Sequence, residues 1–327
     1  MPRHPRLDIT GALHHIMVRG INRAEIFCDD DDRRRFLKRL GELIVASKSQ
    51  VFAFALMTNH LHILYKSGEG GISSVMRKLL TSYAIYFNRR HNRSGHLFEN
   101  RYKSILCEEE RYLLELVRYI HLNPVRVGLA VTLGELDSYQ WCGHAALMGK
   151  HPMEWMSTEY VLAHFGTTLA AGRKKYRAFV ADGLEQGQRP ELTGGGLVRS
   201  QGGWSQVLGL RQSGEQVCSD ERILGGGDFV EDLLREAEES ELRQLRIRRS
   251  GKTMVEIIEE ECRNRSVSGK ELRSGSRRRV VSEARAAIAF RAIEELGLAT
   301  AEIARALGVA TSSISRAITR GAGLRQS

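Results

Sequence analysis

At 327 residues, with 42% hydrophobic content and a formal net charge of +10, the chain exceeds the usual ~100–200 residues of one domain and can bury more than one core. Its charge is uneven: residues 1–150 hold 22 Lys+Arg against 15 Asp+Glu, 151–240 hold 9 against 14, and 241–327 hold 18 against 10. Two basic ends around an acidic middle suit a protein that neutralises nucleic-acid phosphates; no apolar run approaches the ~20 residues of a membrane span, and five scattered cysteines without a CxxC pair exclude a disulfide framework or zinc ribbon and fit a reducing cytoplasm.

The N-terminus carries charge but no apolar core of a signal peptide. Residues 12–19 alternate and read as a strand, and Asp29 to Asp32 supply the acidic groups that favour a helix N-terminus before a helix over Arg33 to Ser49. Gln50 to Tyr65 reads as two strands around a turn at Met57 to Asn59. The second strand carries His60-Leu61-His62, and the strand period of two points both imidazoles to one face while Leu61 enters the core. Such a pair either holds a metal or caps a strand.

An amphipathic helix follows from Ile72 to about Arg90, ending in the basic run Arg89-Arg90-His91-Asn92-Arg93, and a loop from Ser94-Gly95 carries Arg101 and Lys103. After a short strand near 104–107, Glu108-Glu109-Glu110 opens a helix with Leu113, Leu116, Val117 and Ile120 at helical spacing, which Pro124 ends. Tyr119 and Asn123 share a face one turn apart, a candidate nucleophile beside a candidate third ligand. Tyr112 is the rival nucleophile, but Leu116 stands where its ligand would be; His121 lies off that face and reads as structural. The order strand, helix, two strands, helix, strand, helix implies an α+β fold, an antiparallel sheet with helices packed on it.

From about Asp137 to Ser240 the signal weakens. Glycine clusters at 194–196, 202–203 and 225–227 punctuate short helical stretches and read as a connecting region. The last part, about 241–327, is helical and basic. Within it Thr300 to Ile314 follows a helix-turn-helix pattern, with Ala304 at the helix crossing, Gly308 in the turn, and Ile303, Leu307, Val309, Ile314 and Ala317 sealing the core. Ser312, Ser313, Ser315, Arg316 and Arg320 then occupy recognition positions that would face a DNA groove; the same pattern also serves protein-interaction bundles.

Several of these elements together resemble the REP-associated tyrosine transposases and related single-tyrosine HUH insertion-sequence transposases. The resemblance rests on His14-His15-Ile16-Met17-Val18-Arg19-Gly20, on Asn88 to His91, Gly95 to Phe98 and Asn100 to Lys103, and on Tyr119 through Asn123-Pro124-Val125-Arg126 to Gly128. It covers roughly residues 5–145. It implies a ferredoxin-like catalytic fold, a divalent metal, Mg²⁺ or Mn²⁺, on His60, His62 and Asn123, and attack on DNA by Tyr119 to give a 5′-phosphotyrosine and a free 3′-OH. The final segment, with Arg277-Arg278-Arg279 and Arg285 upstream, resembles the all-α DNA-binding domain of bacterial replication initiators.

The expectation is therefore a cytoplasmic bacterial transposase, monomer or homodimer, that nicks and rejoins single-stranded or hairpin DNA. Its nuclease domain would span 1–136, the connecting region 137–240 and the DNA-binding domain 241–327, with the chemistry confined to residues before about 145. Arg19, Arg23, Arg89, Arg90, Arg93, Arg101 and Lys103 form the candidate backbone grip, each alone being equally explicable as a solvated charge. The rival readings are a DNA-binding regulator with a vestigial nuclease domain and an RNA-directed module.

Overall fold

The computed structural model describes residues 7–68, 71–187, 189, 192, 220–249, 253–274, 276, 278–296, 298, 300–314 and 316, with the side chains of 239–249 and 294 left aside. Packing divides the chain into two compact units, Met1–Leu233 and Leu234–Ser327.

The first unit opens with β1 (Leu13–Arg19), α1 (Asp30–Ser47), β2 (Gln50–Leu56), β3 (His60–Lys66), α2 (Gly71–Arg90), β4 (Lys103–Cys107) and α3 (Glu109–His121). The sheet order is β2-β3-β1-β4, antiparallel throughout these four strands. A β-α-β-β-α-β chain in that order is the ferredoxin-like arrangement, an α+β fold as the element order implied and ferredoxin-like as the family resemblance implied. Local chemistry explains the boundaries. Asp29 caps α1 by accepting from Asp32 N, with three further aspartates in the first turn where the helix dipole favours negative charge. Gly20 ends β1 because a Cβ there would sit 2.0 Å from the Ala24 carbonyl oxygen, so only glycine admits the tight turn that follows.

Pro124 shapes the end of α3. Lacking an N–H, it cannot bond the Ile120 carbonyl, so the helix stops at His121 and a short α4 (Asn123–Arg126) restarts beyond Leu122. The Asn123 side chain takes over, donating Nδ2 to the carbonyls of Ile120 at 3.3 Å and Tyr119 at 2.9 Å.

Residues beyond Asp137 do more than connect. α5 (Leu133–Ser138), α6 (Gly143–Leu147), α7 (Thr158–Ala163) and α8 (Leu169–Asp182) bury Leu136, Leu147, Val161, Leu162, Tyr176 and Val180 in the same core as the sheet. Three of these helices have five or six residues, too short for a periodicity to show in sequence. β5 (Ile223–Leu224) adds a fifth strand, parallel to β4, and Glu108 accepts the Gly226 N–H beside it.

α9 (Gly227–Arg249) runs across the boundary between the units. The second unit contains α10 (Met254–Asn264), α11 (Gly269–Arg273), α12 (Arg279–Leu296) and α13 (Thr300–Leu307) around Ile257, Leu272, Val281, Ile288, Ile303 and Leu307. Thr253 and Glu256 form a capping box at the start of α10. Arg291 ties α12 to α10 through Glu260 and Glu261. Gly308 has φ +66° directly after α13, and Ile314 returns to the core beside it. Among the described residues, no helix of the chain is long and apolar enough to cross a membrane.

Candidate active site

Strand register assembles the first part of the site. Met17 faces His62 and Arg19 faces His60 across β1 and β3, while Met17 faces Lys103 across β1 and β4. Directly opposed residues share a face, and alternation adds His15, two positions from Met17. His15, Arg19, His60, His62 and Lys103 thus lie on one side of the sheet. α3 supplies Tyr119 to that side: its ring centroid is 6.1 Å from that of His62 and 6.0 Å from that of His15. A cavity of about 630 Å³ is lined by His60, His62, Tyr119 and Asn123 together with Arg19, Glu99, Asn100, Arg101, Lys103, Arg126 and Arg189.

Hydrogen bonds fix which ligand atoms face outward. Asn59 donates Nδ2 to the Arg23 carbonyl, which leaves its Oδ1 to accept from His60 Nδ1 at 2.7 Å. His60 therefore keeps its Nε2 lone pair for another partner. His62 Nδ1 lies 2.9 Å from His15 Nε2, a buried contact that occupies one ring nitrogen of His62 and leaves the other. Because the Asn123 NH₂ is held by two backbone carbonyls, its oxygen is the remaining acceptor. Burial, helped by Arg19, holds the His60 imidazole down at about 4, and burial with His15 and His60 beside it keeps His62 well below its ordinary value. Both rings are neutral near pH 7, the form that binds metal.

Two imidazole nitrogens and one amide oxygen, all uncharged and backed by Asn59, His15 and main-chain carbonyls, fit a divalent cation that keeps open coordination positions. Arg19, Arg101, Lys103, Arg126 and Arg189 outnumber Glu99 in the cavity wall and make it electropositive. Tyr119 is half-buried, with the Arg126 guanidinium 5.0 Å from its ring centroid and Arg126 Nη1 bonded to the Tyr119 carbonyl at 3.2 Å.

Of the expected backbone-gripping residues, Arg19, Arg101 and Lys103 line the cavity and Arg23, Arg89, Arg90 and Arg93 do not. Arg90 is engaged elsewhere, clamping Asp29 and Asp32 at the start of α1 with contacts of 2.6–2.8 Å. The guanidinium of Arg93 lies 5.7 Å from the Phe87 ring, and Arg23 and Arg89 are exposed. Tyr112 is buried and absent from the cavity wall.

A second group with metal-ligand chemistry is Cys28, Asp32 and His91, whose candidate ligand atoms lie within 4.8 Å of one another. Asp32 there already accepts from Cys28 N, Arg90 and His91, so its charge is matched without an ion.

In the second unit Ser312, Ser313 and Arg316 are exposed, while Ser315, Ala317 and Arg320, like Arg277 upstream, lie outside the described residues. The sequence reading missed His15, Arg126 and Arg189 as site residues. Strand alternation from Arg19 would have found His15, and Arg126 sits within the Asn123-Pro124 motif; nothing local marks Arg189.

Residues 9–123 match the family model described as Transposase IS200 like. That stretch of the chain is thus similar to the IS200-like transposases, in line with the resemblance its motifs carry. No curated protein matches the chain. Among solved structures, the one described as "Structure of the REP associates tyrosine transposase bound to a REP hairpin" matches with 16% identity and a TM-score of 0.37, covering 48% of this chain and 92% of that one.

Proposed function

We propose that the protein is a metal-dependent, single-tyrosine DNA transposase that nicks and rejoins single-stranded or hairpin DNA. The observation that supports this most is the convergence of His60, His62 and Asn123 with Tyr119 in one cavity walled by Arg19, Arg101 and Lys103. His60, His62 and Asn123 would hold Mg²⁺ or Mn²⁺, which when bound would supply charge neutralisation for a phosphate. The Tyr119 oxygen attacks phosphorus, a Tyr–O–P bond forms, the P–O3′ bond breaks, the phenol loses its proton and the 3′ oxygen gains one. Because the phosphodiester energy stays in the phosphotyrosine, rejoining needs no ATP.

On this reading, Tyr119→Phe removes only the nucleophilic oxygen. It abolishes the covalent protein–DNA band on a denaturing gel while hairpin binding stays near wild type, and Tyr112→Phe keeps the band; an adduct formed by Tyr119→Phe would sink the assignment. The second unit, with the exposed Ser312, Ser313 and Arg316 beyond the Gly308 turn, is proposed as a helix-turn-helix that adds duplex contacts and raises local concentration of the nuclease at its site. Arg316→Ala should then flatten the salt dependence of duplex binding by about one unit of log–log slope, and an unchanged slope would assign the unit another role.

A further inference from the structure

The chain beyond α8 folds back onto α3 and brings a guanidinium to the site. Gly183 makes this approach feasible: a Cβ there would lie 2.6 Å from Arg118 Cδ and 2.9 Å from Leu122 Cδ1. Arg118 then holds the returning segment. Its guanidinium stacks 4.1 Å from the Phe179 ring centroid and donates to the Phe179 carbonyl and to Gln186 Oε1. Arg189 follows, with Nη1 3.1 Å from both Gln186 Oε1 and Glu115 Oε2, and lines the cavity with Tyr119 and Arg126.

Cations predominate at this point. Glu115 accepts from both Arg118 and Arg189, and among the described residues no carboxylate is paired with Arg126, whose contacts are the Tyr119 ring and carbonyl. Arg126 and Arg189 both stand in the cavity wall with the half-buried tyrosine. Burial and the neighbouring Arg189 and Arg118 cations push the Arg126 group down from its ordinary value, the direction that an incoming anion would reverse.

We propose that Arg126 and Arg189 form a phosphate-binding pair beside Tyr119 that receives a phosphodiester of single-stranded DNA, so that the functional site extends to residue 189 and includes two groups from outside the family-matched 9–123 stretch. Guanidinium suits this task because its planar donors match phosphate oxygens two at a time. The proposal rests on the reading of the cavity as a DNA site but not on cleavage by Tyr119.

The test uses the full chain, without added metal, and an oligothymidylate of about 20 nucleotides as the probe. Binding is measured against salt for wild type, Arg189→Ala, Arg189→Lys and Arg126→Ala, each checked for unchanged melting temperature. Loss of one phosphate contact to single-stranded DNA lowers the log–log slope by about 0.7, so each alanine variant should show that drop with several-fold weaker binding, and Arg189→Lys should restore the slope. On an otherwise identical methylphosphonate strand, which carries no charge, wild type and alanine variants should bind alike. If the slopes of the alanine variants match wild type, or no binding to the phosphodiester strand is found, the pair is not a phosphate site and Arg189 serves only to tie its segment to Glu115. Adduct formation lost in Tyr119→Phe but unaffected in Arg189→Ala would sink the phosphate pair while leaving the nuclease reading intact.

Discussion

Two buried histidine clusters flank the same helix and have opposite consequences. On the sheet side, His15, His60 and His62 meet Tyr119, and the cluster opens into a cavity with ring nitrogens to spare. At the end of α3, His121 and His144 share the hydroxyl of Tyr176 at 2.7 and 2.9 Å, and His144 Nε2 reaches Asp137 at 2.8 Å, with Arg177 on the other carboxylate oxygen. Asp137 only accepts, so His144 carries its proton on Nε2, its Nδ1 accepts from Tyr176, and the Tyr176 oxygen accepts from His121 Nδ1. That order runs from Asp137 to His121, whose Nε2 has no hydrogen-bond partner among the described residues, and the rings of His121, His144 and Tyr176 are fully buried with no cavity beside them to take a ligand. What sets the sheet-side rings apart is an uncommitted nitrogen at a cavity, on His60 and on His62.

The sharpest way to break the comparison is to remove one nitrogen from the open cluster. His62→Ala should lower Mn²⁺ affinity per folded molecule, measured by isothermal titration, beyond the about 10–100-fold that loss of an outer partner such as His15 costs. Full metal affinity in His62→Ala would make the two clusters equivalent and purely structural.

The closed cluster should answer the reverse test. Tyr176→Phe leaves two buried imidazole nitrogens without their shared hydroxyl and should cost about 1–3 kcal/mol in urea unfolding, while metal affinity per folded molecule is retained. Both clusters should also make the protein acid-sensitive. His60 is held at about 4, His14 at about 4, and His62, His121 and His144 below their ordinary value, all chiefly by burial. A histidine whose folded value lies below its unfolded 6.5 binds protons first in the unfolded chain, so its contribution is intact above about pH 6.5 and declines as pH falls toward 4. Stability that stays flat from pH 7 to 4 would mean that these rings charge without unfolding the site.

Much of the sheet-side cluster could be read in the chain because its rules are local. Alternation put His60 and His62 on one face, helical spacing put Tyr119 and Asn123 together, and Pro124 marked where α3 ends. The structure adds that Asn123 lies past the break, held by its own amide. Arg189 was not legible, since it reaches the cavity only through Gly183, Phe179 and Gln186 packing on Arg118. Nor were the helices between 133 and 182, whose short apolar stretches acquire meaning only against β2 and α3. Arg189, beyond the limit of about 145 expected for the chemistry, lines the cavity. Arg90 was expected to contact DNA with the basic group clustered near the active-site loops; the structure pairs it with Asp29 and Asp32 at the start of α1, which only the fold brings to it.

The proposed chemistry depends most directly on which oxygen attacks. Trypsin cuts after Arg111, Arg118 and Arg126, which places Tyr112 and Tyr119 in separate peptides. Mass spectrometry of the adduct formed with hairpin DNA and Mn²⁺, after nuclease and trypsin digestion, should find a nucleotide on the peptide that begins at Tyr119 and none on the one that begins at Tyr112. A nucleotide on Tyr112, or on any other residue, would contradict it.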